Sequence, residues 1–244
     1  MLITIDVGNS RIKVAVFEQN TLIELFVFET NDAEKKFKKI LKKYPNATHS
    51  TISSVGKINF EVFDYLKTNT NLQIVSHETK FPFTNLYNTP KTLGIDRMVV
   101  AAGAVLQYPS QNRLIIDAGT CITYDFVDKK DQYLGGAISP GVKIRYNSLH
   151  EYTAKLPLLE KKNIENFIGD STENAIHSGI INGICYEIDG FISQYLLKNQ
   201  DLTIILTGGD ADFLAKRLKS TIFANSNFLL ESLNLLSIYL HEND

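Results

Sequence analysis

The sequence predicts an α/β protein of two lobes, each a mixed sheet that starts with a β-hairpin and is flanked by helices. Three observations carry this expectation. An apolar run ending in Ile5-Asp6-Val7-Gly8-Asn9-Ser10 continues into the alternating stretch Arg11–Phe17. The same device recurs at Leu114-Ile115-Ile116-Asp117-Ala118-Gly119-Thr120, followed by Cys121–Val127. With 244 residues, 44% of them hydrophobic, the chain has material for two small cores. Each copy sets a carboxylate at a strand end beside a glycine turn whose backbone N–H groups can face an anion. Having it twice suggests two related lobes, 1–112 and 113–244, closing on one phosphorylated ligand.

The elements follow in order. Leu2–Asp6, Arg11–Phe17 and Leu22–Phe28 read as strands, with Glu18-Gln19-Asn20 turning between the last two. Asn31 or Asp32 caps a helix whose Phe37, Ile40, Leu41 and Tyr44 recur at helical spacing. A strand near Ser50–Val55, a helix near Phe60–Leu66 and a strand near Leu72–Ser76 come next, and the prolines and asparagines of Phe81–Pro90 mark a loop. Val99–Gln107 is a small-residue helix suited to close packing. The second hairpin continues into a strand at Tyr133–Ile138, and a helix is expected over Gly141–Leu149, with irregular chain around Pro157. Thr172–Leu197 is a long apolar helix carrying Gly179, Gly183 and Gly190. Each glycine costs roughly 1 kcal/mol against alanine in an exposed helix interior, so a close approach by another helix or a ligand is expected there. Leu202–Leu206 is a strand, Asp210–Leu218 a helix and Phe228–His241 a closing amphipathic helix.

Composition narrows the function. A net charge of −2 offers no field for sequence-independent nucleic-acid binding. The lysines between positions 35 and 43 read as the solvated face of a helix. Cys121 and Cys185 cannot build a disulfide framework or a four-cysteine zinc site, and both are expected as buried, reduced thiols. The five histidines show no HExxH spacing, so no zinc site is expected. Met1–Ile5 carries no basic segment or cleavage site, and no uncharged apolar stretch reaches membrane-spanning length. The expectation is a soluble cytoplasmic protein with neither nucleic-acid nor membrane partners.

Four clusters carry the chemistry: Asp6 with Gly8, Asn9, Ser10 and Lys13; Gly94-Ile95-Asp96-Arg97; Asp117 with Gly119, Thr120 and Thr123; and Thr207-Gly208-Gly209-Asp210-Ala211. A lone Asp-x-Gly is an ordinary turn; the four in this order are harder to obtain by accident. Neither GxxxxGK[ST] nor GxGxxG occurs, which disfavours P-loop and Rossmann enzymes. The two hairpins and the late TGGDA resemble the phosphate and adenosine elements of the acetate and sugar kinase, Hsp70 and actin superfamily, whose lobes are ribonuclease-H-like. Within it the chain resembles type III pantothenate kinases over essentially its whole length. The resemblance rests on Asp6–Ser10, Tyr87, Gly94–Arg97, Asp117–Thr120, Gly135–Gly141, Thr153–Pro157 and Gly169–Thr172. One departure is Ser232, where the family usually has glycine.

The resemblance implies ATP-dependent phosphorylation of pantothenate at its 4′-hydroxyl, the first step of coenzyme A synthesis. It implies that Asp6 holds Mg²⁺ through water and that the hairpin Asp6, Val7, Gly8, Asn9, Ser10, Arg11, Ile12 and Lys13 cradles ATP phosphates, with Thr120 also on phosphate. Asp96 takes the proton of the attacking hydroxyl. An ordinary carboxyl, with a pKa near ~3.9, cannot strip an alcohol early, so it orients the hydroxyl and accepts the proton late. Tyr87, Gly94, Ile95, Asp96, Arg97 and Thr172 bind pantothenate, Arg97 by a bidentate contact with its carboxylate. The residues themselves also allow plainer roles, Asp96 capping a helix that starts at Arg97 and Thr172 capping the long helix. Asp117 is implied to bind K⁺ or NH₄⁺. Thr207–Ala211 would lie near the nucleoside, and the glycine-marked helix with the GGAISPG segment would form a homodimer interface. The alternatives are a regulatory or transcription-accessory member of the same family, which would need neither base nor cation ligand, and another small-molecule kinase of the superfamily.

Overall fold

A computed structural model describes residues 1–8, 11–54, 60–164, 166–199 and 201–243. They form two compact units, one of Met1–Pro109, Asp131–Tyr133 and Asn227–Asp244, the other of Ser110–Lys130 and Leu134–Ser226.

In the first unit, β1 (Leu2–Val7), β2 (Arg11–Glu18), β3 (Thr21–Glu29), β4 (His49–Ser54) and β5 (Asn71–Val75) form a sheet of order β3-β2-β1-β4-β5. The β1/β2 and β2/β3 pairs are antiparallel, whereas β1/β4 and β4/β5 are parallel. Strict alternation explains the two faces. Ile3, Ile5 and Val7 of β1 and Ile12, Val14 and Val16 of β2 bury against Phe37 and Ile40 of α1 (Ala33–Lys43) and Val62 and Leu66 of α2 (Phe60–Asn69). Each such side chain, fully buried, contributes about 1.5–3 kcal/mol. On the other face, Ala15 and Phe17 meet Val99 and Ala102 of α3 (Ile95–Gln107) and Leu233, Leu236 and Leu240 of α7 (Phe228–Asn243). The helix pair is close because Gly103 has no side chain: a Cβ there would lie 1.9 Å from the Ser232 hydroxyl oxygen. Ser232, the departure from the family pattern, is thus a fully buried contact in this helix–helix seam. The lysines of α1 are mostly solvated, with Lys38 paired to Glu34 and Lys43 to Glu24 of β3.

The second unit repeats the design. Strands β7 (Asn112–Ala118), β8 (Cys121–Val127), β9 (Gln132–Pro140), β10 (Leu202–Thr207) and β11 (Phe223–Ala224) run in the order β9-β8-β7-β10-β11. Again the first hairpin is antiparallel, while β10 joins β7 and β11 joins β10 in parallel. The first residues of β9 belong to the first unit, where Gln132 and Tyr133 pair with Thr84 and Asn85 of the two-residue β6. Leu114, Ile116, Ile122 and Tyr124 pack on Ile180, Ile181, Ile184, Ile188 and Ile192 of α5 (Thr172–Lys198), with Tyr124 stacked on Phe191 at 4.1 Å. The unit also contains α4 (Val142–Glu151) and a short α6 (Ala211–Ala215).

Several expectations are corrected. The second unit does not run to the C-terminus, because the apolar face of α7 packs on α3 and the first sheet. Helix α3 begins at Ile95 with Gly94 as its N-cap, so Asp96 lies in the first turn and does not cap it. The cap of α5 is Ser171, whose hydroxyl accepts from the Asn174 N–H, leaving Thr172 as the first helical residue. Helix α6 is shorter than Asp210–Leu218. Cys185 is buried as expected, but Cys121 is exposed where the hairpin leaves its turn. Among the described residues nothing comes within 4 Å of a Cβ built on Gly179, Gly183 or Gly190, so the expected close approach is not made among them. No helix among them is long and apolar enough to cross a membrane.

Candidate active site

In the first unit the site grows from the end of β1. Asp6 pairs across the antiparallel ladder with Lys13 and across the parallel ladder with Ser53, so period-2 geometry puts all three on one face. Burial is the main influence on the Asp6 carboxyl and raises its pKa to about 6; the Lys13 ammonium opposes this, the nearby Asp96 carboxylate adds to it and the Ser53 hydroxyl lowers it. Ser53 is fully buried, and its hydroxyl completes no hydrogen bond among the described residues. Beyond Asp6 the chain turns. The Gly8 N–H donates to the Arg11 carbonyl at 3.0 Å, while Val7 and Ile12 are buried core residues that can offer a ligand only backbone. Asn9 and Ser10 lie outside the described residues.

The Gly-Ile-Asp-Arg segment enters the same unit at the start of α3. Its approach is tied down by the His77 ring nitrogen, 2.9 Å from the carbonyl of buried Leu93. Asp96 Oδ1 accepts from the Arg97 N–H at 2.9 Å, and a Cβ on Gly94 would come within 2.4 Å of that oxygen. Glycine is therefore needed at 94 to let the carboxylate fold back over the helix start. Arg97 is buried, with its guanidinium 5.8 Å from the centre of the Tyr87 ring. Tyr87 is held in turn by its N–H donating to Asn85 Oδ1 and by an edge contact with Tyr133. Tyr87, Asp96 and Arg97 are brought together, and Asp96 lies within electrostatic reach of Asp6. Ser53 was not among the sequence candidates; the only signal was a small polar pair ending a buried strand, at Ser53-Ser54.

The second unit assembles two other motifs. Asp117 faces Thr123 across the β7/β8 ladder. The turn is one residue shorter than in the first hairpin: the Gly119 N–H donates to the Cys121 carbonyl at 2.9 Å. Gly208, with φ of +96°, is pressed on the end of β7, so that a Cβ there would lie 2.3 Å from Asp117 Oδ1. The Asp210 N–H donates to the Ala118 carbonyl at 2.9 Å. The TGGDA turn is thereby locked onto the Asp-Ala-Gly-Thr hairpin, with open space over Gly209. Gly141 seals the other side. Its N–H donates to the Thr120 carbonyl at 3.1 Å, and a Cβ there would lie 2.3 Å from the Gly119 carbonyl oxygen. Arg145 holds this segment by donating to the Pro140 carbonyl, the Ser139 hydroxyl and Glu187 of α5. Thr172 is exposed at the start of α5. Among the described residues no three His, Cys, Asp or Glu side chains converge as a metal-binding group.

Residues 2–194 match the family model for type III pantothenate kinases. A type III pantothenate kinase of Flavobacterium johnsoniae is 59% identical over 244 residues, covering 100% of both chains. One from Bacteroides fragilis is 39% identical over 240 residues, 98% of each chain. Among solved structures, a Campylobacter jejuni protein described as a Baf family transcriptional activator superposes with a TM-score of 0.62 at 20% identity, over 99% of this chain and 100% of that one. A Listeria monocytogenes protein described as an N-acetylmannosamine kinase gives 0.54 at 14% identity, over 100% and 99%. At these identities the two structures establish likeness of fold alone.

Proposed function

The chain belongs to the type III pantothenate kinase family, and from that premise we propose that it transfers the γ-phosphoryl group of ATP to the 4′-hydroxyl of pantothenate with Asp96 as the base. The observation that carries the residue assignment is the Asp96 carboxylate, folded back over Gly94 beside Arg97 and within electrostatic reach of Asp6. An acceptor carboxylate and a phosphate-side carboxylate therefore lie in one unit.

The chemistry follows from positioning. Arg97 and Tyr87 hold the pantothenate carboxylate and polar groups, so that the 4′-hydroxyl donates its hydrogen to Asp96. As the alcohol oxygen bonds to the γ-phosphorus and the bond to the β-phosphate oxygen breaks, the hydroxyl acidifies and its proton passes to Asp96. ADP leaves. Lys13 and the Gly8 hairpin counter charge on the phosphate oxygens, and Thr120 binds phosphate from the second hairpin.

The donor set at Asp6 fits a hydrated Mg²⁺, since a half-buried carboxylate stands beside a buried hydroxyl that has no partner in hydrogen-bonding geometry among the described residues. Bound there, Mg²⁺ would neutralise phosphate charge. Asp117, which faces Thr123 across the β7/β8 ladder, is assigned to K⁺ or NH₄⁺, and Thr172 is assigned to pantothenate. The open positions over Gly179, Gly183 and Gly190 support a homodimer packed through α5. The exposed thiol of Cys121 suits a reducing cytoplasm.

Asp96→Asn tests the assignment. The amide oxygen can still accept from the Arg97 N–H, so thermal stability and pantothenate binding should hold while kcat falls by roughly 10²–10⁴. Turnover close to wild type would place the base elsewhere.

A further inference from the structure

The two hairpins occupy the same place in two sheets of the same strand order, so their positions can be compared directly. In the first, the residue facing the strand-end Asp6 is Lys13, whose ammonium acts on that carboxylate. In the second, the residue facing Asp117 is Thr123. A built-in cation in one lobe is thus replaced by a neutral hydroxyl in the other. The Thr123 proton is already committed: its hydroxyl donates to Oδ2 of the fully buried Asp125 at 3.0 Å. A hydroxyl that has given its proton to a carboxylate presents only lone pairs to anything else near it. Cross-strand neighbours on one face have Cβ atoms about 4.5–5.5 Å apart, which puts this oxygen beside the Asp117 carboxylate.

We propose that Thr123 is the neutral ligand of the monovalent cation at Asp117, and that this cation replaces the lysine ammonium of the first lobe. The proposal rests on the reading of Asp117 as a cation site. It fits the reading of Asp117 as a site for K⁺ or NH₄⁺, the latter having the chemistry of a lysine head group. It also implies that a lysine at 123 makes the bound cation unnecessary.

The test measures cation binding without turnover. Thermal unfolding of the full chain is followed while KCl replaces choline chloride at constant ionic strength, giving a midpoint for K⁺-dependent stabilisation. Thr123→Val keeps a β-branched side chain of nearly the same shape and should raise that midpoint about 10- to 100-fold, as loss of a metal-site partner does. Thr123→Ser should keep it. Thr123→Lys should unfold at the same temperature with or without K⁺. A Thr123→Val protein with wild-type circular dichroism and an unchanged K⁺ midpoint overturns the proposal. Asp117→Asn separates the two levels. If it abolishes the K⁺ response while Thr123→Val does not, only the role of Thr123 fails. If Asp117→Asn retains the response, or the wild type shows none, the cation reading of Asp117 fails and the proposal with it.

Discussion

Asp6→Asn should make the ligand-free protein more stable at neutral pH while removing a group the reaction needs. In the folded chain the Asp6 carboxyl titrates at about 6 against an ordinary 3.8, mainly because of burial and despite the attraction of Lys13. The folded state therefore keeps a proton that the unfolded chain releases from about pH 4 upward. Stability associated with this group is fully present below the unfolded pKa and is lost as pH rises through the folded one. Going from 3.8 to about 6 makes the carboxyl more than a hundredfold weaker an acid, and each factor of ten is worth about 1.4 kcal/mol. Ionised Asp6 thus costs the fold about 3 kcal/mol at pH 8, a cost that asparagine avoids. The assay is urea unfolding of both proteins at pH 4 and pH 8, with chelator and without nucleotide. The variant should be more stable by up to about 3 kcal/mol at pH 8, with the difference closing toward pH 4. Equal or lower stability of Asp6→Asn at pH 8 would refute the argument, since the carboxylate would then be ionised without penalty. Retaining a destabilising carboxylate is what a functional group does when activity and stability conflict.

Two further substitutions probe close backbone contacts. Gly94→Ala puts a methyl group where Asp96 Oδ1 now sits, 2.4 Å from the built Cβ. The carboxylate has to swing away, and steady-state kinetics should show kcat down about 10²-fold, as for a misplaced catalytic group, with little change in melting temperature. Gly103→Ala drives a Cβ into the Ser232 side chain and should cost about 1–3 kcal/mol in denaturant unfolding, the usual range for overpacking. Adding Ser232→Gly should recover part of that loss, because the two nearest obstructing atoms belong to that serine side chain.

The hairpins were legible in the sequence because their signal is local. Alternation in Arg11–Phe17 and Cys121–Val127 fixes which side chains face the core, and an acid followed by a small residue and glycine marks each turn. Asp6, Asp96, Arg97 and Asp117 are singled out as candidates in this way and through the family pattern. What stayed hidden depends on pairing between distant segments. Nothing around Ser53 marks it as a neighbour of Asp6 until the β1/β4 register is known. The leucines of α7 show an apolar face but not which unit it covers; the missing side chain of Gly103, more than a hundred residues away, decides that. Capping followed the same rule. Ser171 and Thr172 are both good caps by type, and only the bond from the Asn174 N–H distinguishes them. Thr123 stood in a noted cluster without a role, because its meaning comes from comparing its ladder position with that of Lys13.

The central claim is tested most directly by incubating the purified protein with ATP, Mg²⁺ and K⁺ and following ADP release and the phosphorus NMR spectrum as pantothenate is added. The account predicts ADP formation that depends on pantothenate, matched by a new phosphomonoester at the 4′ position. No pantothenate-dependent turnover in either K⁺ or NH₄⁺ buffer, or equal turnover with hexoses or short acids in its place, would contradict it.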